Sequence, residues 1–461
     1  MDATDQKPPP IPMRAWGISA VTGAGAFIAM LDSTVVNLAI ESIRSDFSST
    51  LPIVQWVATD YLCALAVSLP AAAWLGVRYG YGRVWTISLA VFVAASILCA
   101  MAPNPSTLII ARILQGLAGG LMVPAGQAVI GSTVEKRQLG RIFGLLGFVI
   151  ALGPAVGPAV GGFFLETASW RWVFWINVPI GLAALMAAPG LVPRGRTDNA
   201  RELDHRGLLL LGIGLPLLLY GALGAGVGEL ALTTVLSVAA GLILTCLFII
   251  SALRVANPLI DIRLLARPAF SSATLTAGLS GMNMYGGMLL LPLYLQLIAN
   301  QGPLQAGLWF LVMGMGSAIA LPFAGMMTDR FGAGIVSLGG AALLLVSTVP
   351  FLLPGDPAYI ALTAILLVRG IGLGLVQMPA MTAAYSAVSK KEMGDATTLV
   401  NIVQRVGGAI GAMVVVIVLQ QLGGSADPFA QFLAFAFIAG VSALTLVTAL
   451  VMFLHKKAEA S

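Results

Sequence analysis

Fourteen apolar runs of membrane-spanning length follow one another along this chain, and no other feature limits its fold as much. They occupy roughly residues 15–40, 52–75, 84–102, 106–130, 141–164, 172–191, 206–225, 230–253, 269–298, 304–327, 334–353, 358–384, 399–421 and 429–454. A spanning helix takes about 20 apolar residues, so fourteen use on the order of 280. Charges or Gly/Pro punctuation separate the runs. The remainder suffices for short loops and two tails, with no room for a sizeable soluble domain. Charged residues are only 9% of the chain and hydrophobic ones 58%, whereas soluble domains carry about 25% charged residues. The predicted fold is therefore an all-α integral membrane protein, and any ligand must be handled among the helices.

Basic residues test the count through the positive-inside rule. Nineteen of the 24 Lys and Arg residues fall on one side, only Arg44 and Arg171 on the other, and Arg112, Arg369 and Arg405 lie within spans. That bias predicts both termini in the cytoplasm. The polar, proline-rich start, MDATDQKPPPIPMR, lacks a cleavage site after a short apolar core, so the first run is expected to be a retained helix. An internal repeat is also visible. ARILQGLAGGLMVPAGQAVIGSTVEKRQLGR around Arg112 is similar to VRGIGLGLVQMPAMTAAYSAVSKKEMGDA around Arg369. Each is the fourth helix of a six-helix group once the runs at 206–253 are set aside. The expected organisation is a tail at 1–14 and a six-helix bundle at 15–191. A linker with two additional helices follows at 192–268, then a second six-helix bundle at 269–454 and a tail at 455–461.

Several function classes fall away. Cys63, Cys99 and Cys246 sit in different apolar runs, and His205 and His455 in a loop and a tail. Neither set has metal-ligand or disulfide spacing, so no metal or organic cofactor is expected. The net charge of +5 comes from short loops between spans and does not point to nucleic acid. No nucleophile–base pair or soluble sensor domain supports a membrane-embedded enzyme or a receptor.

Charge inside the spans is where chemistry is to be sought. Among nineteen acidic residues only Asp32 and Asp60 lie within apolar runs, where an Asp at a helix centre costs about 2.5–3.5 kcal/mol to insert. Counting residues along the helices places both roughly 12 Å below the outer surface, with Arg112 about 9 Å deep from the same side. The three are expected to form a proton-binding cluster, because low dielectric raises a carboxylate's proton affinity while a neighbouring arginine lowers it. In the fifth run, GPAVGPAVGG puts glycines at 153, 157 and 161 on one face, with Pro154 and Pro158 predicted to bend the helix.

Taken together, LDSTVVNLAI, ARILQG, GPAVGPAVGG and WRWVFWINVPIG (Trp170–Gly181) resemble the signatures of one family. It is the fourteen-helix drug/proton antiporter branch of the major facilitator superfamily, the EmrB/QacA type, and the resemblance covers nearly the whole chain. It implies a rocker-switch exporter in the bacterial cytoplasmic membrane, driven by inward proton flow. Asp32 then matches the coupling acid, and Arg112 and Gln115 the fourth-helix motif. Gly153, Pro154, Gly157, Pro158, Gly161 and Gly162 match the antiporter motif. The cytoplasmic gating loop after helix 2 departs from the pattern. It reads LGVRYGYGR, with Val77 where an Asp is expected, beside Arg78 and Arg83. Its counterpart after helix 10, GMMTDRFG, keeps Gly325, Asp329, Arg330 and Gly332, and Asp329 is expected to cap a helix end and hold the two halves outward-facing.

Candidates for the substrate pocket are Asn283 and Tyr285 in GMNMYGGM, together with Asn37, Trp56, Tyr61, Gln115, Gln127, Tyr294, Gln296 and Gln377. Asn401, Gln404 and Arg405 form a further polar cluster. The second half has arginines but no intramembrane acid. The expected function is proton-coupled export of small amphipathic compounds or drugs. The alternative is a dedicated transporter of one metabolite or organic anion. Expected partners are the small-molecule substrate, protons and the lipid bilayer, and the sequence leaves room for an accessory protein.

Overall fold

The computed structural model describes residues 11–195, 202–226, 232–301, 303–353 and 359–460. Among them are sixteen α-helices and no strand. They are α1 (Met13–Asp46), α2 (Leu51–Ser68), α3 (Ala71–Tyr79), α4 (Tyr81–Ala100), α5 (Pro105–Thr133), α6 (Leu139–Thr167), α7 (Trp172–Trp175) and α8 (Asn177–Leu191). After these come α9 (His205–Gly226), α10 (Leu232–Arg254), α11 (Pro268–Leu293), α12 (Pro303–Phe331), α13 (Ala333–Thr348), α14 (Tyr359–Ser386), α15 (Met393–Gln421) and α16 (Pro428–Ala460).

Every apolar run is helical, but two of them break. The second bends by 55° between α2 and α3, at Leu69–Pro70, where the proline ring removes an N–H and crowds the preceding turn. The sixth divides into α7 and α8 at Ile176. The ninth closes on a π-helical turn over Tyr294–Ile298. By length and hydropathy ten helices among the described residues can cross a membrane, or eleven with the bent α2–α3 pair as one span. The expected fourteen is not reached on that measure. The described apolar parts of α6 and α9 are shorter, at Leu139–Gly153 and His205–Gly221.

Helices α1–α8 pack chiefly with one another, as do α11–α16. Between them α9 and α10 form a pair, and α9 also lies against α2 and α15. The additional helices are therefore peripheral, yet α9 covers the seam between the two groups, with Tyr220 stacked on Trp56 of α2 at 6.1 Å. Apolar side chains such as Ile243, Leu247 and Ile250 of α10 stay exposed, as expected where lipid is the solvent.

The membrane face on which α1 begins is called here the terminal face, and its opposite the far face. One hydrophobic core joins both groups towards the terminal face, through Ile130, Phe143, Met378, Tyr385 and Met393 among others. Towards the far face the cores are separate. One holds Val35, Val57, Leu108 and Phe174 of the first group, the other Leu291, Trp309, Phe351 and Phe435 of the second. The groups are thus closed together at the terminal face and parted at the far face.

Polar contacts reinforce that closure. Asp329, near the end of α12, receives the backbone N–H of Gly140 at 2.9 Å and of Arg141 at 3.1 Å, and the Arg141 Nε at 3.0 Å. A carboxylate there meets two otherwise unpaired N–H groups and the positive end of the α6 dipole. Gly325 is needed one turn earlier, because a Cβ there would strike the Gly140 carbonyl. Arg330 lies over the Phe331 ring at 5.2 Å. The turns that follow α3 and α12 match each other: Gly80 and Gly332 take φ of +90° and +91°, which a glycine adopts without steric cost. Arg78 is partly buried at the end of α3, and Arg83 is exposed at the start of α4.

Candidate functional site

The sequence LDSTVV puts Asp32 in the interior of α1. Because that helix runs on to Asp46, well past the apolar run, Asp32 sits roughly 21 Å along the axis from its far end. Both Asp32 and Arg112 of α5 are only 1% exposed, and they form an ion pair between Asp32 Oδ2 and Arg112 Nη1. Removing two charges from solvent is costly unless every remaining polar atom finds a partner.

Most of them do. Gln115, one turn after Arg112 on the same face of α5, donates Nε2 to Asp32 Oδ1 at 3.0 Å and to Ser96 Oγ at 2.9 Å. Its Oε1 accepts from Arg112 Nη1 at 2.8 Å and from the Cys99 thiol at 3.6 Å. Asn177, the first residue of α8, donates Nδ2 to Asp32 Oδ1 at 2.9 Å. Arg112 Nε donates to the Val57 carbonyl at 2.9 Å. Its guanidinium lies 4.1 Å from the Tyr61 ring centre and 5.7 Å from that of Phe174, a desolvated cation–π arrangement. Tyr61 in turn donates its hydroxyl to the Ala29 carbonyl at 3.3 Å.

Asp60 does not join this cluster, which corrects the expected trio of two acids and an arginine. Val57 and Tyr61 turn α2 towards Arg112, and the residue before Tyr61 is rotated about 100° around the helix. Asp60 is only half-buried and makes no hydrogen bond or ion pair among the described residues. Position along a helix does not by itself bring two side chains together; the face each helix presents decides it.

Sequence reasoning missed Ser96 and Asn177. Asn177 lies inside WRWVFWINVPIG, and the structure accounts for that whole stretch. Trp170 Nε1 and Arg171 Nη1 donate to Asp46 at the end of α1, at 3.0 and 2.8 Å, Phe174 lines Arg112, and Asn177 reaches Asp32. The segment thus holds α1 at two places. An amide three residues beyond an aromatic that faces a buried charge was the available signal for Asn177. For Ser96, in an apolar run, there was none.

The glycine stripe of α6 packs beside the site. A Cβ on Gly153 would lie 2.8 Å from the Met30 Cβ, one on Gly157 2.5 Å from Thr34 Oγ1, and one on Gly161 2.8 Å from Val35 Cγ1. These glycines therefore let α6 approach α1 on either side of Asp32. Gly162 has open space instead. The side chains of Pro154 and Pro158 lie outside the described residues.

The expected pocket residues scatter. Gln127 and Asn401 lie in a buried bridge between the groups, where Gln127 Oε1 accepts from Tyr385 Oη at 3.2 Å and from Asn401 Nδ2 at 2.6 Å. Tyr294 is packed edge-on against Phe351 and Phe435. Asn283 is buried and accepts from Ser442 Oγ at 2.9 Å. These four are packing or bridging residues here, not open walls. Asn37 and Gln296 are exposed, Asn37 donating back to the Ser33 carbonyl at 3.0 Å. Trp56 is 43% exposed and faces α9, and Tyr285 is 40% exposed, over Gly408. Gln377, Gln404 and Arg405 are partly buried. Arg405 shares a helical face with Asn401, makes no hydrogen bond or ion pair among the described residues, and is near enough for its charge to act on Tyr61. A separate cavity of about 540 Å³ opens at the terminal face, beside Lys136, Thr328 and Asp329. Among the described residues no group of His, Cys, Asp and Glu could hold a metal ion, and all three cysteines are free.

A buried carboxylate–guanidinium pair with amide donors is suited to taking up and releasing a proton while helices move. Comparisons with known proteins place the chain in a family. The family model for the Major Facilitator Superfamily matches residues 22–412, and again 273–461. The chain is 36% identical over 398 residues to a "Multidrug resistance protein B homolog" of Mycobacterium tuberculosis, covering 85% of this chain and 74% of that one. It is 33% identical over 415 residues to the puromycin resistance protein of Streptomyces alboniger, covering 87% and 81%. Among solved structures it resembles the human organic anion transporter MFSD10 with a TM-score of 0.67 at 13% identity, covering 94% and 99%. The proton:xylose symporter XylE gives 0.64 at 15%, covering 94% and 95%. The chain is a multi-pass membrane transporter of small molecules, not an enzyme, and it belongs to the Major Facilitator Superfamily.

Proposed function

We propose that this transporter is a proton-coupled antiporter of the fourteen-helix drug-export branch, expelling small amphipathic compounds across the bacterial cytoplasmic membrane. The observation that carries this reading is the buried Asp32–Arg112 pair with its Gln115 and Asn177 donors. The multidrug- and puromycin-resistance relatives support the substrate class. With both termini cytoplasmic, as the basic loops favour, the terminal face is the inner one and the described conformation is outward-facing. Residues 15–191 and 269–454 then act as the two rocking bundles, with Asp329 of α12 holding the start of α6 and keeping the inner side shut. Asp32 takes a proton from the outer side and releases it inward as the bundles rock, while the substrate moves the other way.

The partly buried Arg405, which has no partner among the described residues, favours a second reading: a dedicated exporter of an organic anion. One assay separates the two. Everted vesicles are given a pH gradient and a panel of lipophilic cations and anions, and transport is followed by fluorescence dequenching. Multidrug antiport requires several chemically distinct compounds to move and the gradient to fall as they do. Transport of anions alone selects the second reading. Asp32→Asn is expected to abolish coupled efflux in folded protein, and full activity in that variant ends the coupling assignment.

A further inference from the structure

One buried polar atom beside Asp32 is not used by the ionised site. Asn177 is fully buried, and its Nδ2 serves Asp32 Oδ1 at 2.9 Å, with Ser96 Oγ farther off at 3.4 Å. Its Oδ1 has no donor within reach. A buried amide oxygen left unpaired is costly and rare. Gln115 makes the contrast, since both ends of its amide are engaged: turning it over would give up the bonds its Oε1 receives from Arg112 and Cys99. Asn177 can turn its amide over without losing any bond at its oxygen.

Protonation of Asp32 reverses what the site needs. The ionised carboxylate is acceptor-only, and all three groups that contact it, Arg112, Gln115 and Asn177, are donors. Once a proton from the outer side forms an O–H bond on Oδ1, that hydroxyl must donate. Arg112 has no acceptor, and Gln115 presents its NH₂ end. We propose that Asn177 is the positioning residue that reads the charge of Asp32: its amide donates to the ionised carboxylate and turns over to accept from the protonated one. This rests on Asp32 being the coupling acid. The titratable and charged groups facing the pair are Arg112 of α5, Tyr61 of α2 and Cys99 of α4; α7 offers only the Phe174 ring.

The test is the pH dependence of efflux in everted vesicles, using one transported dye, for wild type, Asp32→Asn, Asn177→Leu, Asn177→Ser and Asn177→Asp. Leu keeps the branched shape but takes away the amide that donates to the ionised carboxylate, a charge-assisted bond stronger than the one accepted from the protonated form, so the pH of half-maximal efflux should rise by about one unit, a tenfold gain in proton affinity. Ser, a donor and an acceptor, should reverse most of the shift. Asp sets a second carboxylate beside the first and should move the midpoint up, because two like charges share a proton. A rise with Leu that Ser largely reverses, at unchanged protein stability, is not what a merely structural residue produces. If Asp32→Asn is inactive while Asn177→Leu and Asn177→Asp keep the wild-type midpoint, this inference fails and the coupling reading stands. If Asp32→Asn still couples, the coupling reading fails first. Should Asn177→Leu not fold, the Ser and Asp variants give the same decision.

Discussion

Arg112 and Arg369 occupy the same place in the two halves of the repeat, and their surroundings differ in one decisive respect. Each lies in the fourth helix of its group and is almost fully buried, at 1% and 2% exposure, and each faces the first helix of that group. Arg112 meets the carboxylate of Asp32 there. Arg369 meets Gly287, where an added Cβ would lie 2.8 Å from its Nη2. Its Nη1 donates to Thr348 Oγ1 at 2.8 Å, its Nη2 reaches the Asn283 carbonyl only at 3.5 Å, and its Nε has no partner. One scaffold thus holds a titratable pair in the first group and a fixed charge in the second. An arginine does not lose its proton in a protein, so the buried charge of Arg369 is fixed.

The largest effect expected from this difference is on stability. Asp32→Ala leaves Arg112 buried without its counter-ion and should cost about 3–5 kcal/mol, read as a fall in the thermal unfolding midpoint of detergent-solubilised protein. Arg369→Met removes a buried charge that has no carboxylate partner and fills similar volume. It should be neutral or stabilising, since replacing buried charge by packed apolar groups often is. If Arg369→Met is as damaging as Asp32→Ala, the two sites are alike in energy and the contrast collapses.

Gly287→Asp sharpens the comparison by building in the second group what it lacks. The nearest obstacle is the Nη2 tip of a long side chain, not backbone, so the new carboxylate can pair with Arg369 after a small shift. The expected outcome is a higher unfolding midpoint at neutral pH than at pH 4, a difference the parent chain should show less. Equal midpoints at the two pH values in the variant would mean that the new acid never reaches Arg369.

These halves were unequally legible in the sequence. Asp32 and Arg112 could be found because a charge in an apolar run is rare and costly, and the repeat pointed to Arg369 as well. The expectation for Asp60 failed because depth is a property of one helix, whereas contact depends on how two helices are turned towards each other. Gln127 and Asn401, expected on a pocket wall, are engaged with each other and with Tyr385 in this conformation. A polar side chain in a span must be satisfied, but one sequence cannot tell whether a ligand or the opposite helix group satisfies it; here Tyr385 and Asn401 do so for Gln127. The second run was expected to be continuous, and it bends by 55° at Pro70.

A smaller effect is expected where the groups meet. Asp329→Ala removes the carboxylate from two N–H groups at the start of α6, and helix-cap losses of this kind cost about 1 kcal/mol. The closed terminal face should become about fivefold less favoured, seen as faster labelling of a cysteine placed behind α6. Unchanged labelling would show that the shared core and the Gln127 bridge hold the closure without it.

The smallest effect belongs to the ion pair between Arg267 and Glu392, at 2.5 and 3.1 Å, which joins the starts of α11 and α15 within the second group. Hydrogen bonding from Arg267 pulls the Glu392 carboxyl down to about 2. A depressed acid stabilises the folded protein above its unfolded value, near 4.3, and loses that contribution only as pH falls towards 2. Between pH 5 and 8 this pair is constant, and with Arg267 half exposed it is worth at most about 1 kcal/mol. Glu392→Gln should therefore lower stability slightly and equally across that range, and leave the pH profile of efflux where Asp32 sets it. A profile displaced by Glu392→Gln would mean that a charged group of the second half takes part in proton coupling after all, against the division drawn from Arg112 and Arg369.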